Sequence, residues 1–264
     1  MTPPLIIRKN SEFRKYYQDL AEDSLVSCIL NLKQSEENIF VDLIERGINL
    51  FPSATSQLAT RSKCFSAVIF KKWMLPNTLV IRCKKDLIKA IQLFEQQGIQ
   101  QVITKFDRSD CGLGICKWQS IEELFSHISF SGFESWPFVL QPFVHDALDI
   151  RVVWLGEHYF EAYFRKNENS FRNNMHFGAK SGSYTLADNE KALCFNVMKR
   201  GNFPWAHIDL LKLSNGECFL SEISLFGGLK GAKIDQKTCN KLKLRIQMEF
   251  EKAFMKKENY TDVI

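Results

Sequence analysis

No two cysteines stand in a CxxC pair and no segment is rich in histidine, so the spacing that makes a zinc site is missing. The eight cysteines, Cys28, Cys64, Cys83, Cys111, Cys116, Cys194, Cys218 and Cys239, are scattered singly. Such scatter also argues against a secreted disulfide framework and makes a reducing cytoplasm the expected compartment. The opening stretch MTPPLIIRKNSEF has no apolar core of signal-peptide length, and nowhere do about 18 apolar residues run uninterrupted. No membrane partner is expected. The charge imbalance is small, with 35 Lys and Arg against 30 Asp and Glu. Basic residues gather only in short clusters such as Lys71-Lys72, Lys84-Lys85 and Lys256-Lys257, too sparse a stripe for nucleic acid to be the main partner. Internal repeats and low-complexity tracts are also lacking.

What is present suits an α/β (α+β) fold. A chain of 264 residues buries about three quarters of its unfolded surface, enough for one globular unit of two or three subdomains. Apolar runs at 4–7 and 26–32 predict strands, and the pattern over 35–46 predicts a helix with Ser35 as N-cap. Helical spacing returns over 53–72 and 85–97, with strands expected at 78–82 and 101–106. Beyond Trp136-Pro137 the pattern turns mostly to strands, at 138–143, 149–155 and 158–165, the last two joined at Gly156-Glu157. Residues 166–183 read as a loop, followed by a helix at 189–200, strands at 206–212 and 217–224, and a helix from about 235 to 256.

Three constellations carry chemistry. Lys105 ends a strand before a small-residue loop containing Gly112 and Gly114, which supplies a cation and closely approaching backbone N–H groups for phosphate. Asp209, Glu222 and Ser224 stand on two strands joined through Asn215-Gly216; strand alternation puts Glu222 and Ser224 on one face, where oxygen ligands suit Mg²⁺ held with nucleotide phosphates. Arg151, Arg165, Arg172 and the amides Asn173 and Asn174 cluster about a hairpin, and guanidinium forks with amide N–H groups suit an anionic acyl centre.

In this order the elements resemble the ATP-grasp ligases, most closely the RimK-type ribosomal-protein glutamate ligases and bacterial glutathione synthetases, over about residues 48–231. Ser62-Lys63 and Lys105 look like the family's two phosphate-binding lysines, and Leu75-Pro76-Asn77-Thr78 resembles its Pro-x-Thr step into the central domain. Val139 to Val144, with Gln141 and Phe143, looks like the hinge strand along adenine, where backbone groups read the base. Asp149-Ile150-Arg151, Arg165 and Phe171-Arg172-Asn173-Asn174 match the Asp-x-Arg, Arg and Phe-Arg-x-Asn elements, and Asp209 and Glu222 match the metal-bridging carboxylates. Phe226-Gly227-Gly228 resembles the glycine-bearing turn after them. Two departures stand out: the family's Glu-x-Asn is here Glu222-Ile223-Ser224, and Pro142 replaces the acidic residue beside the hinge glutamine, leaving Asp146 or Asp149 for the ribose.

The resemblance implies an ATP-grasp fold with a shortened N-terminal α/β segment over 1–75, a central lid over 76–137, and a C-terminal antiparallel-sheet subdomain with the metal site over 138–264. It implies an ATP-dependent carboxylate–amine ligase with Mg²⁺, or Mn²⁺ in its place, acting through an acyl-phosphate on an amino acid, peptide or small acid. Lys63, Lys105, Gly112, Gly114, Gln141, Phe143, Val144 and Asp149 would bind nucleotide. Arg165, Arg172 and Asn174 would act on the acyl centre, and Asp209, Glu222 and Ser224 on the metal. The rival reading is a non-catalytic ATP-binding or peptide-binding module derived from such a ligase. A third is a phosphoryl-transfer enzyme that stops at the phosphorylated acid. A homo-oligomer is left open.

Overall fold

Short strands and helices alternate at the start of the computed structural model, which describes residues 5–109, 114–131, 136–167 and 178–261. They are β1 (Ile6–Ile7), α1 (Asn10–Tyr16), β2 (Leu25–Val26), α2 (Ile39–Glu45) and β3 (Asn49–Leu50). The three strands form a parallel sheet with β2 in the middle, over a core of Phe13, Leu20, Val26, Phe40 and Leu43. The helix expected from Ser35 begins only at Ile39. Glu36 turns back instead to accept the Lys33 N–H at 2.8 Å, and 34–36 form a tight 3₁₀ turn.

The single helix expected over 53–72 is two, α3 (Ala54–Arg61) and α4 (Lys63–Ile69). Ser62 is the break: its backbone is extended (φ −117°, ψ 113°), and its hydroxyl accepts the Phe65 N–H at 3.0 Å as an N-cap. Ser53 caps α3 in the same way, from the Ser56 N–H at 3.1 Å. Lys63 thereby takes the first position of a new helix. At the other end of α4, Phe70 is wholly buried, with the rings of Phe203 and Trp73 6.4 and 6.5 Å away.

Next come β4 (Leu79–Ile81), α5 (Lys84–Gln96), β5 (Val102–Phe106), β6 (Ile115–Trp118), α6 (Ile121–Ser131) and β7 (Phe138–Pro142). Their strands form an antiparallel sheet in the order β4-β7-β5-β6. The strand Phe138–Pro142, which sequence reasoning places with the C-terminal part, is thus hydrogen-bonded between β4 and β5. Leu87, Ala90, Ile91 and Phe94 of α5, with Ile121 and Leu124 of α6, cover one face through Val102, Phe138 and Leu140. Alternation turns Lys105, Val139 and Gln141 to the other face.

The remainder is β8 (Leu148–Leu155), β9 (Tyr159–Lys166), β10 (Lys180–Ser183), α7 (Asp188–Gly201), β11 (Trp205–Lys212), β12 (Cys218–Ser224) and α8 (Gln236–Thr261). An antiparallel sheet runs β10-β9-β8-β11-β12. Residues 180–183, read from composition as loop, pair with the edge of β9, whose backbone groups would otherwise lack partners. The long α8 ties the N-terminal sheet to this one. Phe250 stacks on Phe51 at 4.2 Å, Gln247 donates to the Ser27 carbonyl at 2.6 Å, and Glu251 accepts from Arg8 at 2.7 Å. No described helix is long and apolar enough to cross a membrane.

Removing the Phe70 ring leaves a cavity beneath α4, so Phe70→Ala is expected to cost about 3–5 kcal/mol in urea unfolding, with the m-value unchanged. A loss below about 1 kcal/mol would show that this ring does not anchor the helix.

Candidate functional site

The face of the middle sheet turned away from α5 and α6, the helices α3 and α4 and the edge strand β12 enclose a cleft lined by Thr60, Lys63, Lys105, Gln141, Ser221 and Glu222. A bulge in β12 shapes it. Asp209 pairs with Glu222 but the next residue, Leu210, pairs with Leu220, so Ser221 is the extra residue and can reach the cleft beside Glu222. Lys105 Nζ donates to Ser221 Oγ at 3.2 Å. Lys63 Nζ donates to the Ser109 carbonyl and lies 3.8 Å from Glu222 Oε1. Glu222 remains 44% exposed, open to the cleft mouth. Burial lowers the Lys105 ammonium below its ordinary value, against the attraction of Glu222, and the charge of Lys63 adds to the lowering.

Beside the cleft, across from Glu222, lies a largely shielded ion network. Arg151 grips Asp209 with two parallel bonds, Nε to Oδ1 and Nη2 to Oδ2, both 2.7 Å. Arg165, one strand further, donates from Nε to Asp149 Oδ1 at 2.7 Å and places Nη2 3.0 Å from Asp209 Oδ2. The register puts Asp209 opposite Arg151, and Asp149 opposite Arg165, so strand pairing alone assembles the four. Burial opposes the charge of Asp209, but Arg151 and then Arg165 outweigh it and hold the carboxylate below its ordinary range. Asp149 goes the other way. Burial pushes it up to about 6, a rise that Arg165 opposes and the Asp209 charge reinforces.

The turn after β12 packs on the same sheet. Arg151 Nη1 and the Tyr163 hydroxyl both donate to the Gly228 carbonyl, at 3.3 and 3.4 Å. Glu161 accepts the Lys233 N–H at 2.7 Å, and the Tyr159 hydroxyl at 2.6 Å. The face of β9 that carries Tyr159, Glu161, Tyr163 and Arg165 is therefore occupied in holding the turn and the ion network. His207 is buried with its Nδ1 unpaired, and burial, then Lys243 and Arg151, push it down to about 3. A Cβ at Gly227 would fall 2.5 Å from that Nδ1, so only glycine fits there.

The structure brings Lys63, Lys105, Gln141 and Glu222 into one cleft, with Asp149, Arg165 and Asp209 beside it. Gly114 lies near them and packs so closely on Ser109 that a Cβ would clash at 2.3 Å. Gln141 is held by its side chain, donating to Thr78 Oγ1 at 2.8 Å. Phe143 donates its N–H to the Gln101 carbonyl at 2.8 Å, so that hinge N–H is engaged within the sheet. Its ring lies beneath Lys117 Nζ at 3.8 Å, and Val144 follows it half-buried. Ser224 Oγ accepts the Phe226 N–H at 3.1 Å. Arg172, Asn174 and Gly112 lie outside the described residues. Sequence reasoning missed Ser221, because simple alternation from Glu222 turns it to the opposite face and only the bulge brings it back. It also missed Asp107, whose carboxylate caps α4.

The donor set can be tested against Mg²⁺. Magnesium is commonly bound through one or two carboxylates plus substrate phosphates, and the opposed pair Asp209 and Glu222 offers two hard oxygen donors on neighbouring strands. Glu222 carries the open carboxylate, whereas Asp209 shares its oxygens with Arg151 and Arg165. Among the described residues no group of three His, Cys, Asp or Glu side chains is placed to hold an ion without such phosphates.

Asp149 sets a testable pH dependence. Its folded-state pKa of about 6 lies above the ordinary carboxylate value, so its contribution to stability is full below that value and is lost as pH rises through about 6. Wild type should therefore lose stability relative to Asp149→Asn between about pH 4 and pH 7 in parallel urea titrations. An equal pH slope in the two proteins would refute the shift.

No curated protein sequence matches the chain. Among solved structures it is similar to the D-alanine–D-alanine ligase of Bacillus anthracis, at 14% identity and a TM-score of 0.60, over 96% of this chain and 86% of that one. The corresponding ligase of Coxiella burnetii gives a TM-score of 0.62 at 10% identity, over 91% and 73%. The ATP-grasp ligase PsnB, in a complex with a phosphomimetic variant of its minimal precursor, Mg and ADP, gives 0.52 at 15%, over 79% and 66%. These likenesses show a shared fold. The model of the RimK-like ATP-grasp domain matches residues 59–246, which hold every cleft and network residue described above, and the chain belongs to that family.

Proposed function

We propose that this ATP-grasp ligase joins a carboxylate to an amine through an acyl-phosphate, with ATP and Mg²⁺. The observation that carries the reading is the meeting of Lys63, from the start of α4, and Lys105, from the middle sheet, in one cleft with the open carboxylate of Glu222. Two cations beside a glycine-bearing loop suit the charge spread over a phosphoryl group in transfer. A substrate carboxylate oxygen would attack the γ-phosphorus, breaking its bond to ADP. The amine would then attack the acyl carbon and displace phosphate, losing a proton.

Lys63 and Lys105 would hold the phosphoryl oxygens through both steps. Mg²⁺, held by Glu222 and Asp209 with Ser224 nearby, would neutralise phosphate charge. Arg172 and Asn174 would meet the tetrahedral oxyanion. Arg165 is buried between Asp149 and Asp209, so its part is to keep Asp209 charged and aimed. Gln141, Phe143 and Val144 would border the adenine, with Phe143 presenting its ring.

The test is phosphate release with ATP, Mg²⁺ and pools of amino acids, peptides and small carboxylic acids. Turnover is expected with at least one pool, and Glu222→Ala should abolish it, because no neighbouring acid can replace that carboxylate. ATP binding without turnover in any pool would favour the non-catalytic module, and full turnover in Glu222→Ala would displace the metal from this strand.

A further inference from the structure

Three successive residues follow β5 at the foot of the loop that returns at Gly114; Asp107 and Ser109 are held by the start of α4, and Arg108 by the N-terminal part. Asp107 Oδ1 accepts the Cys64 N–H at 3.0 Å and the Ser62 hydroxyl at 2.9 Å, on either side of Lys63. The Ser109 carbonyl takes the hydrogen bond from Lys63 Nζ. Between them Arg108 forms a two-pronged pair with Glu37, Nη1 to Oε1 and Nη2 to Oε2, both 2.7 Å. The pair is largely shielded, with the Arg108 and Glu37 side chains 27% and 15% exposed, and Arg108 Nε lies 3.5 Å from Asp107 Oδ2.

Two features mark this as more than a surface ion pair. Arg108 holds φ at +58°, a region that a side-chain-bearing residue keeps only where its surroundings over-determine it, as they often do at functional sites. Glu37 also belongs to the N-terminal part, at the start of the segment that becomes α2, whereas Arg108 belongs to the middle sheet's loop. One forked contact therefore spans the two.

We propose that Asp107, Arg108 and Glu37 are positioning residues that clamp the foot of this loop to the N-terminal part and fix Lys63 relative to Lys105. The proposal rests on the nucleotide reading of the cleft. A grip whose cations are already placed loses less conformational freedom when phosphates bind, so the clamp should act on phosphate affinity and leave the base alone.

Calorimetric titration of the full chain with Mg²⁺-ATP and, separately, with adenosine tests it, in wild type, Arg108→Gln, the isosteric Glu37→Gln, their double variant, and the exchange Glu37→Arg/Arg108→Glu. Each single change is expected to weaken ATP about tenfold, about 1.4 kcal/mol, with adenosine unchanged. The double variant should be no weaker than either single one, and the exchange should recover part of the loss. ATP affinity within about twofold of wild type in both single variants, or equal weakening of ATP and adenosine, would overturn the clamp. Wild type binding neither ligand would overturn the nucleotide reading, and the clamp with it.

Discussion

Asp209 keeps its charge because two guanidiniums meet it from the next two strands of the sheet, and the register of those strands follows from that constraint. Arg151 stands directly across from it on β8, and Arg165 reaches it from β9 while also holding Asp149. A one-residue slip in either pairing would turn these side chains to opposite faces and leave charges buried without partners, at a cost of about 3–5 kcal/mol for each broken pair. The network therefore penalises every register but the observed one. With the register set, Glu222 falls opposite Asp209 and faces the cleft.

Two local irregularities then complete the site, and both depart from what regular structure would produce. The break at Ser62 restarts the helix so that Lys63 heads α4, and Asp107 holds that restart by accepting from the Ser62 hydroxyl and the Cys64 N–H. The bulge at Ser221 gives β12 two successive residues at the cleft, one meeting Lys105 and the other facing Lys63. Lys105 reaches the cleft by plain strand alternation, whereas Lys63 reaches it only through the break at Ser62. Regular sheets supply the rigid frame and the irregular points supply the convergence, which is how a site is kept precise without enlarging the core.

Much of this was legible in the sequence where the signal is local. Strand alternation groups Glu222 with Ser224, and apolar periodicity gives α5, α7 and four strands of the five-stranded sheet nearly to the residue. What escaped is non-local. The edge pairing of 180–183, the place of Phe138–Pro142 inside the middle sheet, and the pairing of the Phe143 N–H with Gln101 each depend on a partner distant in the chain. The start of α2 was misjudged for a smaller reason: Ser35 is a fair cap by type, but Glu36 binds the Lys33 N–H and closes a different turn. Arg108 and Glu37, 71 positions apart, carry no pattern that would link them before the fold is known.

In the proposed reaction Lys63 and Lys105 converge to hold the nucleotide phosphates. Equilibrium dialysis of labelled ATP with Mg²⁺ against wild type and Lys105→Met measures this directly, since methionine keeps the apolar stem and removes the charge. The dissociation constant is expected to rise at least about tenfold in the variant, the loss of one buried charged contact. Equal affinity in the two proteins would contradict the account, because a cation facing the phosphates in this cleft cannot be removed without weakening their hold.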